Sequence, residues 1–155
     1  MKFFIYFCSN FTTEQYKNTI MRTRDNETMM DPVSEARRYV ANAHTLLIKK
    51  AGLNPETQLY RDRKYVRMAG NTLWNGMLLI LDATFNIDKT QGRISIKDYR
   101  TIIGKRDRKL LDYVNVAYDT MHLAMGYDGN LEKSICQKGI QLANEIIDRC
   151  ERLIL

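Results

Sequence analysis

Two histidines, three cysteines and a clustered set of lysines and arginines are what this chain of 155 residues brings to chemistry. Asp119 stands three residues before His122, so on a helix the two share a face. A carboxylate in that position orients an imidazole or shares a metal ion with it. A metal takes three or four ligands, and neither a second histidine-bearing helix nor an inward carboxylate cluster joins the pair. No metal site is expected, and His122 reads as a cation near a helix C-terminus, where the dipole favours it. Cys136 and Cys150 fall on or beside one apolar stripe, where thiols pack and do not react. On one helix they lie about 21 Å apart, too far for a disulfide, which needs Cα atoms within ~7 Å. With Cys8 the count is odd, and reduced thiols point to the cytoplasm.

The basic residues carry more information. The chain has 24 Lys and Arg against 18 Asp and Glu, net +6. In residues 61–67, Arg61, Arg63, Lys64 and Arg67 face Asp62 alone; in residues 89–109, eight cations face Asp98 and Asp107. Outside these two segments the chain is net acidic. If Arg63, Lys64, Arg67, Lys105, Arg106, Arg108 and Lys109 form one patch, the partner is a polyanion such as RNA, held through its phosphates. A second candidate lies nearby. Gly70 and Gly76 each cost a helix interior roughly 1 kcal/mol relative to Ala, which suggests close approach of another backbone beside Trp74 and Met77. Gly70, Trp74 and Tyr127 then form a candidate ligand pocket. No phosphate loop, dinucleotide fingerprint or nucleophile elbow is present, so no cofactor is expected.

Positioning these residues falls to helices. Gly and Pro together number ten, about half of average usage, and the longest apolar runs fall far short of the ~20 residues of a spanning helix. No membrane association is expected. The apolar start Phe3–Cys8 is also shorter than the 7–15 residues of a secretory signal. Residues 1–29 read as an N-terminal extension or arm, and residues 30–155 as the bundle domain. Asp31-Pro32 opens the first long helix; its apolar line runs Val33, Ala36, Val40, Ala43, Leu47, Ala51 to Gly52. The pattern predicts a second helix over 62–85 and a short third one over 96–103, capped by Ser95 and Asp98. It predicts a fourth over 107–125 with Gly126 as its C-cap, a tight turn at Tyr127-Asp128-Gly129-Asn130, and a fifth over 131–154. The apolar stripe on the last is broad enough to require a central position or a second copy of the chain. Four long helices with short links make an all-α antiparallel four-helix bundle with one short extra helix.

Two segments carry a resemblance. Lys64-Tyr65-Val66-Arg67-Met68-Ala69-Gly70-Asn71-Thr72-Leu73-Trp74-Asn75-Gly76, followed by Leu78 through Asp82, and His122-Leu123-Ala124-Met125-Gly126-Tyr127-Asp128-Gly129-Asn130 resemble a small bacterial all-helical family without an assigned function. The likeness covers about 30–150. Its wider kin are similar to the HEPN bundles, some of them ribonucleases and others non-catalytic partners of nucleotidyltransferases. The ribonucleases of that kind carry an Arg, four to six residues, then a His. By that resemblance Arg38 and His44 are the alternative catalytic pair, although Tyr39 stands where a polar residue is usual and the pair lies in the first helix. His44 also falls between Val40 and Leu47, which suggests a core or interface histidine.

Together these features suggest a non-catalytic interaction module, a homodimer through the 131–154 helix, that binds RNA or a protein partner. A HEPN-type ribonuclease is the alternative.

Overall fold

The helices follow from caps and stripes that agree with one another. The structure is a computed structural model that describes residues 31–155 other than Gln91 and Arg93; the arm 1–29 and Cys8 lie outside the described residues. Helix α1 (Pro32–Thr45) starts where the Asp31 carboxylate accepts the Ser34 N–H at 3.1 Å. Its end widens to five-residue hydrogen bonding over Leu46–Ala51 and stops at Gly52. Strands β1 (Leu53–Asn54) and β2 (Leu59–Tyr60) pair antiparallel, with Leu53 opposite Tyr60. This small ribbon is not legible in the sequence. It ties the connection to the entrance of the last helix, since the Tyr60 N–H donates to the Leu131 carbonyl at 2.8 Å.

Helix α2 (Arg63–Phe85) is capped by Asp62, which accepts the Lys64 N–H at 2.8 Å, and ends on Asn86 in the left-handed conformation. The short α3 (Ile96–Gly104) has the expected capping box between Ser95 and Asp98. Its buried Tyr99 donates its hydroxyl to Asp82, which also pairs with Lys89. Burial first, then the Asp82 carboxylate, pushes the Tyr99 phenol up to about 12. Helix α4 (Arg108–Ala117) continues as a widened segment over Tyr118–Asp128. Helix α5 (Lys133–Ile154) closes the all-α bundle.

One expected helix end needs correction. Gly126 does not cap α4: the helix runs on through Tyr127 and Asp128, and Gly129 (φ +66°) ends it. The glycine at 126 serves close packing instead. A Cβ on Gly70 would lie 2.6 Å from the Gly126 nitrogen and 2.7 Å from the Met121 carbonyl oxygen, and one on Gly126 would lie 2.7 Å from Asn71 Oδ1. Backbone meets backbone there, as the helix-interior cost of Gly70 implies. The broad stripe of α5, for its part, takes the central position. Cys136, Gly139, Leu142, Ala143, Ile146, Ile147 and Cys150 are buried against α1, α2 and both parts of α4. Of the same stripe, Ile135 and Ile140 are half-buried, and Leu153 and Ile154 at its C-terminal end are exposed.

Polar ties hold the bundle's flanks. Arg37 of α1 pairs with Asp148 and Glu151 of α5 on the surface. Asp107 is 8% exposed, caps α4 through the Leu110 N–H, and accepts two hydrogen bonds from the Arg149 guanidinium, at 2.6 and 2.9 Å. Those bonds, ahead of the cap, hold the Asp107 carboxyl below the ordinary carboxylate value despite burial.

This packing has measurable consequences for stability. Gly70→Ala should lower the unfolding free energy by roughly 1–2 kcal/mol in urea, because overpacking against backbone outweighs Ala's helix preference. A midpoint at or above wild type would mean that the two helices can part without cost. The Asp107 contribution is fully present above its unfolded-state pKa of ~3.9 and is lost as pH falls through the lowered folded value. Asp107→Ala should cost about 1.5–3 kcal/mol at pH 7 and flatten the acid limb of the stability profile. An acid limb as steep as wild type would contradict this.

Candidate functional site

Antiparallel packing of α2 and α4 decides which candidate residues meet. Arg106 lies with its guanidinium 5.9 Å from the Phe85 ring centroid, at the C-terminal end of α2, whereas Arg63 opens that helix beside Asp128 at the end of α4. About 33 Å of helix separates the two ends. Arg63, Lys64 and Arg67 therefore share one end of the bundle, while Lys105, Arg106, Arg108 and Lys109 surround the α3–α4 turn at the other. The seven cations do not form one patch. The short α3 packs on the end of α2, not on its start, which is why two basic segments that look adjacent in sequence are apart.

At the first end the side chains make an open cleft of about 570 Å³, lined by Arg63, Arg67, Gly126, Tyr127 and Asp128. The arginines sit four residues apart on one face of α2, with Lys64 exposed at the edge. Gly129 allows their approach: its positive φ ends α4, and a Cβ there would stand 2.5 Å from Arg63 Cγ and 3.0 Å from Arg67 Cγ. The two aliphatic stems thus lie across the turn, and Arg63 Nη1 donates a long bond to the Asp128 carbonyl at 3.4 Å. Among the described residues neither guanidinium has a carboxylate within 4.0 Å, although Asp128 lines the same cleft. Tyr127 is 75% exposed.

The pocket expected from Gly70, Trp74 and Tyr127 does not form. Gly70 is filled by the α4 backbone, and Trp74 is buried edge-on to Tyr118 with ring centroids 5.5 Å apart. His122 completes that aromatic cluster, 5.3 Å from Trp74 and 5.2 Å from Tyr118, and the Arg100 guanidinium covers Tyr118 from 5.3 Å. Asp119 is exposed and does not orient His122, whose Nδ1 is buried with no hydrogen-bond partner. No group of three His, Cys, Asp or Glu residues among the described ones is placed to hold a metal ion.

The ribonuclease pair is not assembled either. Arg38 pairs with Glu35 at 2.5 Å, and His44 is exposed one position past the buried Ala43, not in the core between Val40 and Leu47. Six residues of helix turn the two side chains away from one another. Cys136 and Cys150 are free thiols raised by burial to about 12 and about 11, so neither is a nucleophile at neutral pH. Among the described residues no helix is long and apolar enough to cross a membrane.

Fold and cleft define a class: a bundle of four long helices in which the second and fourth close on facing glycines, with arginines that are unpaired among the described residues where that seam ends. The chain belongs to the family described as a domain of unknown function (DUF5618), matched over residues 31–152, a span that includes both seam segments. It is also similar to a solved structure, a protein of unknown function from Dyadobacter fermentans, at 35% identity over 80% of this chain and 96% of that one, with a TM-score of 0.71. No curated protein matches the chain.

What sequence reasoning misses is the joining of Tyr127 to Arg63 and Arg67, 60 or more residues away. The available signal is Gly126 and Gly129 flanking Tyr127, which read locally as cap and turn and not as packing surfaces. Gly129→Ala should destabilise by about 1–3 kcal/mol through its left-handed backbone and should displace both arginine stems. An unchanged melting temperature would show that the stems do not rest on this turn.

Proposed function

We propose that the protein is a non-catalytic helical-bundle module that binds RNA through its phosphates at the Arg63–Arg67–Tyr127 cleft. One observation carries the reading. Arg63 and Arg67 are exposed, braced on the α4 turn and free of carboxylate partners among the described residues, whereas Arg37, Arg38 and Arg149 are engaged in ion pairs. Guanidinium groups of this kind make bidentate bonds to phosphate. The cleft is open to solvent, which suits a passing strand better than an enclosed small anion. A net charge of +6 adds long-range attraction for a polyanion. The second basic group, around Lys105, Arg106 and Arg108, then serves as a remote electrostatic contact. A cytoplasmic location accords with this role and with the reduced Cys136 and Cys150.

Anisotropy of a labelled single-stranded RNA, titrated with the full chain between about 50 and 200 mM salt, tests the reading. Binding is expected at the lower salt, weakening steeply as salt rises. Arg63→Ala with Arg67→Ala should make the log–log salt slope shallower by about 1.4, at ~0.7 for each phosphate contact on single strands. Charge reversal at Lys105, Arg106 and Arg108 should reduce binding less than reversal at Arg63 and Arg67. The reading fails if wild type retains no RNA at ~50 mM salt, or if the double alanine variant keeps the wild-type slope.

A further inference from the structure

We infer that Tyr127 is a stacking platform for an unpaired base, so that the cleft takes single-stranded RNA in preference to duplex. This rests on the phosphate reading above and narrows it to a substrate class. Of the aromatic side chains along the α2–α4 seam, Trp74 and Tyr118 are engaged with His122 and Arg100 inside the bundle. Tyr127 alone of these three faces outward, 75% exposed.

Its position is not that of a frayed end. The residue before it, Gly126, is pressed against Asn71, and two residues after it Gly129 lies beneath the Arg63 and Arg67 stems. The Gly129 N–H donates to the Met125 carbonyl at 3.1 Å, and the Asn130 N–H donates to the Ala124 carbonyl at 2.8 Å. The backbone that carries the ring is therefore fixed on both sides. An exposed aromatic ring on a fixed backbone thus lines the same cleft as two guanidinium groups, and a nucleotide offers a base to the one and a phosphate to the others.

Base–aromatic stacking is worth about 1–3 kcal/mol per base and tolerates any sequence, since every base has a π-face. In a duplex those faces are covered by neighbouring base pairs, and side chains reach mainly phosphates and hydroxyls. A single strand can therefore use both Tyr127 and the arginines, whereas a duplex can use the arginines alone.

The test uses the full chain and one labelled ten-nucleotide RNA, free or annealed to its complement, at ~50 mM salt. Wild type should bind the single strand more tightly than the duplex. Tyr127→Ala should weaken single-strand binding about 5- to 150-fold, the equivalent of 1–3 kcal/mol, and leave duplex binding unchanged. Tyr127→Trp should restore it, and its added indole fluorescence should be quenched by the single strand. Because the side chain is exposed, the variants should keep the wild-type circular dichroism. Adenosine monophosphate at millimolar concentration should not displace the strand; displacement at micromolar levels would assign the site to a free nucleotide and overturn the inference. If strand and duplex bind alike and Tyr127→Ala changes neither, this inference fails while the phosphate reading stands. The exposed ring would then belong with Val116 and Leu123, also exposed on α4, to a surface for a protein. If neither RNA form binds, both readings fall together.

Discussion

Helices α2 and α4 approach one another as closely as backbone allows, and most of this molecule is arranged around that contact. Gly70 and Gly126 face each other with no room for a methyl group on the Gly70 side. Closeness of this order needs glycine on the approaching surface, and it has two effects. It buries Leu73, Met77, Met121 and Met125 in one continuous core, and it fixes the register of the two helices. Register fixed at one point of an antiparallel pair determines what meets at both ends.

The consequences differ at the two ends. Where α2 ends and α4 begins, Phe85, Tyr99 and Asp107 are buried and tied to Asp82, Lys89 and Arg149. The polar groups named there have structural partners. Where α2 begins and α4 ends, Arg63 and Arg67 rest on a glycine turn and have no acid to neutralise them among the described residues. Charge left unpaired beside an exposed aromatic ring contributes nothing evident to stability, because exposed cations are well solvated and surface pairs are worth little in any case. Lys105, Arg106, Arg108 and Lys109 at the other end are likewise exposed and without a carboxylate within 4.0 Å among the described residues, so what distinguishes the first end is the cleft itself, with its braced arginine stems and exposed ring.

Several of these features are legible in the chain from local signals alone. The caps at Asp31 and Ser95, the apolar periodicity and the scarcity of Gly and Pro identify an all-α bundle and most helix limits to within a residue or two, because these signals act within a single turn of helix. The same local logic identifies Gly70 as a site of close approach, since its cost in a helix interior demands a compensating contact. It misjudges Gly126, which looks like a C-cap in any local window but lies inside a helix that widens to keep pressing on α2.

Sequence by itself determined the helices, the thiols that pack and do not react, and the two basic segments as the chain's concentrated positive charge. Tertiary structure alone decided which of those charges stand together and which aromatic ring stays outside. Arg67 and Tyr127 meet because two helices run antiparallel with their register set by a pair of glycines. Arg106 is carried about 33 Å away by the same helix. His44 and Arg38 share a helix but not a face, and Trp74 is buried by Tyr118 and not offered to a ligand. Spacing along a chain fixes neighbours only within one element. Between elements the neighbours are chosen by packing, and here Gly70 and Gly126 made the choice by letting two helices touch backbone to backbone.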